Sequence, residues 1–234
     1  MSAARRAARA GRNLLIALLV GAVFIVAIVI AFVAGRSTGP PAAGPTSPPA
    51  ATATATASTS GTTDAAPTGC LGGQARSDAM LLAAQKSAPN TTYGAVEVAT
   101  AFYRWSYRFP APSSADIRAV RAIFVPADAS KSAAALAADY ERNSNPSAGV
   151  VKDGTPFYLS TTTGRWVAQP GSRRQEQTVG IQAPFVIDGV LSATKSTTEA
   201  FKMRWTDGAW RLTGVAQADS AKLVAGGTTF TAGC

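Results

Sequence analysis

The chain contains no histidine, and only two of its 234 residues are cysteine. Without an imidazole there is no Ser-His-Asp or Cys-His nucleophile system, no histidine-ligated metal and no histidine acid–base pair. Two cysteines cannot supply an ordinary structural zinc site either. Chemistry with carboxylates alone remains open. However, the acids stand singly or in solvent-facing contexts such as Asp139-Tyr140-Glu141, and no recognisable pair emerges. Phosphate-cradling loops are missing as well, since Gly72-Gly73 and Gly226-Gly227 lack the Lys-Ser/Thr that gives such glycines their role. The expectation is a protein without a cofactor, and not an enzyme.

Acidic residues are also scarce, 13 against 22 Lys+Arg, which leaves a net charge of +9. The excess is scattered, and no helix carries a dense basic cluster, so nucleic acid is not an expected partner. A mild basic excess suits an anionic neighbourhood, such as lipid headgroups, wall polymers or an acidic protein surface.

Residues Leu14 to Ala34 form 21 consecutive residues without a charge and are almost wholly apolar. As a helix it is roughly 31 Å long, enough to cross the hydrocarbon core of a bilayer. Arg5, Arg6, Arg9 and Arg12 precede it, whereas only Arg36 follows before Asp64. By the positive-inside rule, residues 1–13 form a cytoplasmic segment, 14–35 a single transmembrane helix, and the remainder lies outside the cell membrane. A cleaved secretory signal is the alternative, with Ala31-Phe32-Val33-Ala34 as its cleavage site. The run exceeds the apolar length typical of such signals, which favours a retained anchor. Cys70 lies too far beyond it for a lipoprotein.

Residues 36–69 are dominated by Pro, Ala, Gly, Ser and Thr and include the repeat Ala-Thr-Ala-Thr-Ala-Thr-Ala at 51–57. No apolar periodicity exists there to build a core, so a disordered stalk is expected. Residues 70–234 are then the extracytoplasmic domain. Its two cysteines, Cys70 and Cys234, stand at opposite ends of that segment, and outside the membrane such a pair suggests a disulfide. Closing so long a loop contributes at most about 5 kcal/mol in the chain-entropy model.

Within the domain, helix patterns come first. Ser77 to Ala88 forms one candidate, stopped by Pro89. Gly94 to Arg108 forms another, with Val98, Phe102, Trp105 and Phe109 on one apolar face and Glu97, Arg104 and Arg108 assigned to the remaining surface. Ser113 and Asp116 have capping-box spacing before Ile117, Val120 and Phe124. Asp128 or Ser130 opens a further helix through Ala133, Leu136, Ala137 and Tyr140, ending near Asn145-Pro146. Strand patterns follow. Thr155–Thr161 and Arg165–Gln169 suggest a hairpin turning at Thr163-Gly164, and Gln177–Ile187 a longer strand whose Pro184 marks an edge or a bulge. Thr197–Thr206 and Ala209–Gln217 flank the turn signal Asp207-Gly208. Helices first and strands afterwards indicate an α+β domain, about three helices on a curved antiparallel sheet of four to five strands.

That last hairpin can be read in register. With Asp207-Gly208 as the turn, Trp205 faces Trp210, Arg204 faces Arg211 and Met203 faces Leu212. Phe201, Met203, Trp205, Trp210 and Leu212 then share the core face. Lys202, Arg204 and Arg211 share the other, as a like-charged stripe that needs solvent, an acidic neighbour or an anionic partner. A candidate pocket within the fold is lined by Phe157, Trp166 and Phe185.

Three helices followed by a sheet ending in Phe-Lys-Met-Arg-Trp-Thr-Asp-Gly-Ala-Trp-Arg-Leu (201–212) resemble the nuclear-transport-factor-two-like fold. With an anchor and stalk in front, the chain looks like the inner-membrane assembly factors of type IV secretion and conjugation systems. The segment from Tyr93 to Pro110, with Gly69-Cys70-Leu71-Gly72-Gly73 before it, resembles actinobacterial proteins of conjugative elements. The resemblance covers about residues 70–217 and implies a cone-shaped module that contacts other envelope or transfer-apparatus proteins and self-associates. Enzymes of that fold commonly use a histidine in the cone, which this chain cannot supply, and no residue role carries over. Residues 218–234 run past the fold's usual end, as a tail held back by the disulfide. The expected function is a non-enzymatic, single-pass membrane scaffold. The alternative is a tethered module that binds a lipid or small apolar molecule in its cone.

Overall fold

A computed structural model describes residues 65–173 and 175–234. The expected cytoplasmic segment, the membrane span and the stalk up to residue 64 lie outside the described residues. Among the described residues, no helix is long and apolar enough to cross a membrane. The architecture is α+β, several helices with a curved antiparallel sheet of six strands.

The helices are α1 (Asp78–Ser87), α2 (Thr92–Ser106), α3 (Ser114–Ala119), α4 (Ala129–Arg142) and, near the C-terminus, α5 (Ser220–Gly226). Their starts follow local chemistry. The side chains of Ser77 and Thr91 accept from the backbone N–H groups of Met80 and Gly94, satisfying donors that the first helical turn leaves free. At α3 the expected capping box is complete, with the Ser113 side chain bonded to Asp116 N–H and the Asp116 side chain to Ser113 N–H. Gly94 is required by a close approach, because a Cβ there would collide with the Pro89 carbonyl.

The strands are β1 (Phe157–Leu159), β2 (Arg165–Pro170), β3 (Glu176–Ile187), β4 (Val190–Thr206), β5 (Ala209–Ala216) and β6 (Thr228–Thr229). Their order is β5-β4-β3-β2-β6, with β1 also paired to β3. The expected β1–β2 hairpin does not form: each strand pairs antiparallel with a different part of β3. The short turn between them, where Gly164 N–H meets the Thr161 carbonyl, shifts the chain along one edge of β3 instead of folding it back on itself. Pro184 lies inside the central strand, where the β3–β4 register shifts, so it marks a bulge and not an edge. The β4–β5 hairpin has the expected register, Thr206 opposite Ala209, Trp205 opposite Trp210, Arg204 opposite Arg211 and Met203 opposite Leu212. Its turn is Asp207-Gly208, both at positive φ (51° and 72°). A second turn of the same kind, Asp188-Gly189 (49° and 79°), joins β3 to β4 and lets β4 begin seven residues before the expected Thr197.

Val179, Ile181, Ala183 and Phe185 of β3, with Phe201 and Met203 of β4, face the helices and are buried. Against them lies α2, buried on every side from Gly94 to Ser106. Here the expected amphipathic division fails. Glu97 and Arg104, assigned to the surface, are 9% and 0% exposed. The cause is the segment before α1, which crosses the helix and hides both charges under backbone. Glu97 Oε1 accepts from Thr68 N–H, Thr68 Oγ1 and Gly69 N–H, and Oε2 accepts from Leu71 N–H. Arg104 donates to the carbonyls of Gly69, Gly73, Gln74 and Ala75 at 3.0–3.3 Å. Arg108 is half-buried and paired with Asp116 at 3.1 Å. Phe109, expected on the apolar stripe, lies beyond the helix end and is 39% exposed.

The two ends of the folded unit meet. Cys70 and Cys234 form the expected disulfide. Thr231 N–H donates to the Pro67 carbonyl, and the backbone N–H and carbonyl of Cys234 bond Thr161. Packing therefore starts at Pro67, which is buried. The residues read as a pinned tail instead supply α5, whose Leu223 covers Gly180 on the far face of the sheet, and β6, which extends the sheet beside β2.

Candidate functional site

Four polar aromatic and acidic side chains converge at the end of α2. Tyr103 and Tyr107 are one helical turn apart and project to one side, their rings edge-to-face at 4.9 Å. Opposite them, the β3–β4 register places Glu199 across from Ile181 and Thr197 across from Ala183, on the sheet face that carries the core. Helix α4 brings in Tyr140, whose hydroxyl donates to the Ser106 carbonyl at 2.9 Å.

The Tyr107 hydroxyl donates to Glu199 Oε1 at 2.9 Å, the one hydrogen bond made by this carboxylate among the described residues. No ion pair to Glu199 exists among them either. Burial therefore pushes the Glu199 pKa above the usual carboxylate range, while the Tyr107 hydrogen bond pulls it back in part. Tyr103 is 1% exposed, and its hydroxyl has no hydrogen-bond partner. Burial, followed by the charge of Glu199, drives its pKa well above that of a free tyrosine, with the Thr197 side chain near enough to moderate the rise. Tyr107 is displaced upward in the same way, and Tyr140 is raised by burial and by neighbouring Asp139. Glu199, Tyr107, Tyr140 and Thr197 are each partly exposed. The cluster thus presents a carboxyl group and aromatic edges at the surface, with the Tyr103 phenolic oxygen buried beside them.

The sequence assigns none of these residues to a site, and Tyr140 enters it only as part of a helical stripe and an acidic triplet. Glu199 carried a usable signal, because it alternates in phase with Phe201 and Met203 and so belongs to the core-facing side of its strand. Tyr103 and Tyr107 fall outside the Val98-Phe102-Trp105 stripe, and only the three-dimensional course of the chain unites them with Glu199.

The residues proposed from sequence lie elsewhere. Phe157, Trp166 and Phe185 are 3%, 7% and 0% exposed, with Phe157 against Phe185 at 5.6 Å and Trp166 against Tyr93 at 5.8 Å. They are part of the packed core and line neither of two open depressions on the surface. One of these, about 390 Å³ and open to solvent, lies between Phe109–Pro112 and Ala137–Tyr140 of α4. The other, about 470 Å³ and also open to solvent, lies along Gln182, Pro184 and Leu191–Ser196. Of the basic stripe, Arg204 is bound to Glu176 at 2.7 Å. Arg211 Nη1 reaches the Ala122 carbonyl at 2.6 Å. Lys202 is exposed. The opposed arginines are thus held apart by one intramolecular acid and one helix-side carbonyl, and Lys202 is left to solvent or a partner.

Charge is also managed beside the disulfide. Burial and the nearby Arg76 cation lower the Arg104 pKa to about 10, with Glu97 opposing them. Arg76 itself stacks over the Tyr158 ring at 3.7 Å. Among the described residues, no group of three or more Cys, Asp or Glu is arranged to hold a metal ion. Comparison finds no matching family model, no similar curated protein and no similar solved structure.

Proposed function

We propose that this chain is a membrane-tethered interaction module, a scaffold or assembly component of a conjugation or type IV secretion-like apparatus. In this reading the domain is a nuclear-transport-factor-two-like cone displayed outside the cell membrane on a flexible stalk. The observation that carries it is the closure of the folded unit on itself. The disulfide, the Glu97 and Arg104 contacts and the Thr231–Pro67 hydrogen bond all gather the domain's first and last residues at one place. A tether arriving there leaves the helices and most of the sheet free to meet neighbours. The sequence adds a charge-flanked apolar run, a low-complexity stalk and no histidine.

Crosslinking followed by affinity capture of the full chain from native membranes tests this reading. Recovery of transfer-channel proteins, repeated across independent preparations, is the expected result. Repeated recovery of the chain alone, or with proteins unrelated to any envelope assembly, would overturn it.

A further inference from the structure

The cluster of Tyr103, Tyr107, Tyr140, Thr197 and Glu199 holds more polar capacity than the fold uses. Glu199 is a partly buried carboxylate with one hydrogen bond and no cation among the described residues. Tyr103 contributes a phenolic oxygen that is buried and unpartnered. The Thr197 hydroxyl lies beside it, near enough to hold the Tyr103 pKa down in part. A buried hydroxyl without a partner is costly, and folded proteins leave few of them. We infer that this cluster is a binding site for a primary ammonium group, carried by a free amine or by a lysine side chain.

The chemistry selects that ligand over the alternatives. A primary ammonium carries three N–H donors and one positive charge. The cluster offers the free oxygen of Glu199, the Tyr103 hydroxyl and the Thr197 hydroxyl as acceptors, with one negative charge. Tyr107 holds the carboxylate in place through its 2.9 Å hydrogen bond to Oε1. The rings of Tyr103 and Tyr107, edge-to-face at 4.9 Å, add aromatic surface of the kind that attracts cations. Calcium or magnesium would want several carboxylate or carbonyl oxygens, and one carboxylate with neutral phenols serves them badly. An anion would meet the charge of Glu199, and the nearby Arg108 cation is already paired with Asp116 at 3.1 Å. An uncharged apolar ligand would leave both the carboxylate and the Tyr103 hydroxyl unsatisfied. The site is reachable, because Glu199, Tyr107, Tyr140 and Thr197 are each partly exposed. This inference does not depend on the scaffold reading, since it concerns what the cluster binds and not where the chain works.

The test uses the full chain labelled with ring-¹³C tyrosine, titrated near neutral pH with n-butylammonium chloride, Nα-acetyl-lysine methylamide or neutral n-butanol. The chain has five tyrosines, and Tyr93 and Tyr158 lie against Trp166 and Arg76, so they serve as internal references. The expected result is saturable movement of the Tyr103, Tyr107 and Tyr140 signals with an ammonium probe and none with butanol. Saturation by butylammonium assigns a free amine, and saturation by the lysine derivative alone assigns a lysine side chain. Glu199→Gln, isosteric but uncharged, should weaken binding at least tenfold with the reference signals in place. Wild-type affinity should also fall on acidification as Glu199 is protonated, a readout that needs no variant. Absence of saturable movement, equal response to butanol, or undiminished affinity in acid would each overturn the assignment.

Discussion

Replacing Arg104 with methionine removes a cation that is wholly enclosed and bonded only to backbone. The wild-type guanidinium satisfies the carbonyls of Gly69, Gly73, Gln74 and Ala75. Hydrogen bonds to a charged group contribute about 1.5–3 kcal/mol each before costs. Burial of the charge offsets part of that sum, as the lowered pKa of about 10 indicates. Methionine fills much of the volume but donates nothing, and it leaves four carbonyls beside the buried carboxylate of Glu97. Losses for breaking a buried charged contact run to about 3–5 kcal/mol, the expected destabilisation here. At about 2–4 °C per kcal/mol for a domain of this size, the melting temperature of the non-reduced full chain should fall by roughly 6–20 °C. Amide hydrogen exchange gives the local signature. Thr68, Gly69 and Leu71, whose N–H groups bond Glu97, should exchange faster in the variant than amides in β3. A melting temperature within about 2 °C of wild type, with those amides still protected, would refute the assigned role of Arg104.

Trp210→Ala should cost about 3–5 kcal/mol in denaturant unfolding, because the ring is 2% exposed and its N–H bonds the Pro89 carbonyl; a change below about 0.5 kcal/mol would remove it from the core. Gly94→Ala should lower the unfolding midpoint by forcing the start of α2 away from Pro89, and unchanged stability would contradict the close approach. Glu199 predicts an unusual pH response. Its folded pKa is raised, so the folded state favours the protonated acid, and its contribution to stability grows as pH falls from the raised folded value toward the ordinary carboxylate range. Asp116, lowered first by the Ser113 backbone hydrogen bond, works in the opposite sense and loses stability below that range. Within the Glu199 window Glu199→Gln should flatten the wild-type gain, and identical stability–pH curves would disprove the burial of the carboxylate.

Local signals carried much of the fold. The Ser113–Asp116 capping box and the Asp207-Gly208 turn are short-range chemistry, so their geometry follows from a few adjacent residues. Asp188-Gly189 carried the same turn signal in a less clean setting, since the strand after it, Val190–Lys195, is largely exposed and lacks an alternating apolar face. Long-range covering was not legible. Glu97 and Arg104 look like surface charges on an amphipathic helix, and only the return of residues 67–75 across α2 buries them. For the same reason the Glu199 cluster was invisible, because its members come from α2, α4 and β4 and meet through tertiary packing. The aromatic trio Phe157, Trp166 and Phe185, expected to line a pocket, instead packs against other rings in the core.

The proposed role requires a domain closed end to end in an oxidising compartment, with its tether arriving at the point of closure. Acid-trapped alkylation of the full chain in intact cells, followed by non-reducing peptide mapping, examines this directly. A single cross-linked species joining the peptides of Cys70 and Cys234, with neither thiol alkylated before reduction, is the expected result. Recovery of both cysteines as alkylated free thiols would contradict the closure and the compartment together.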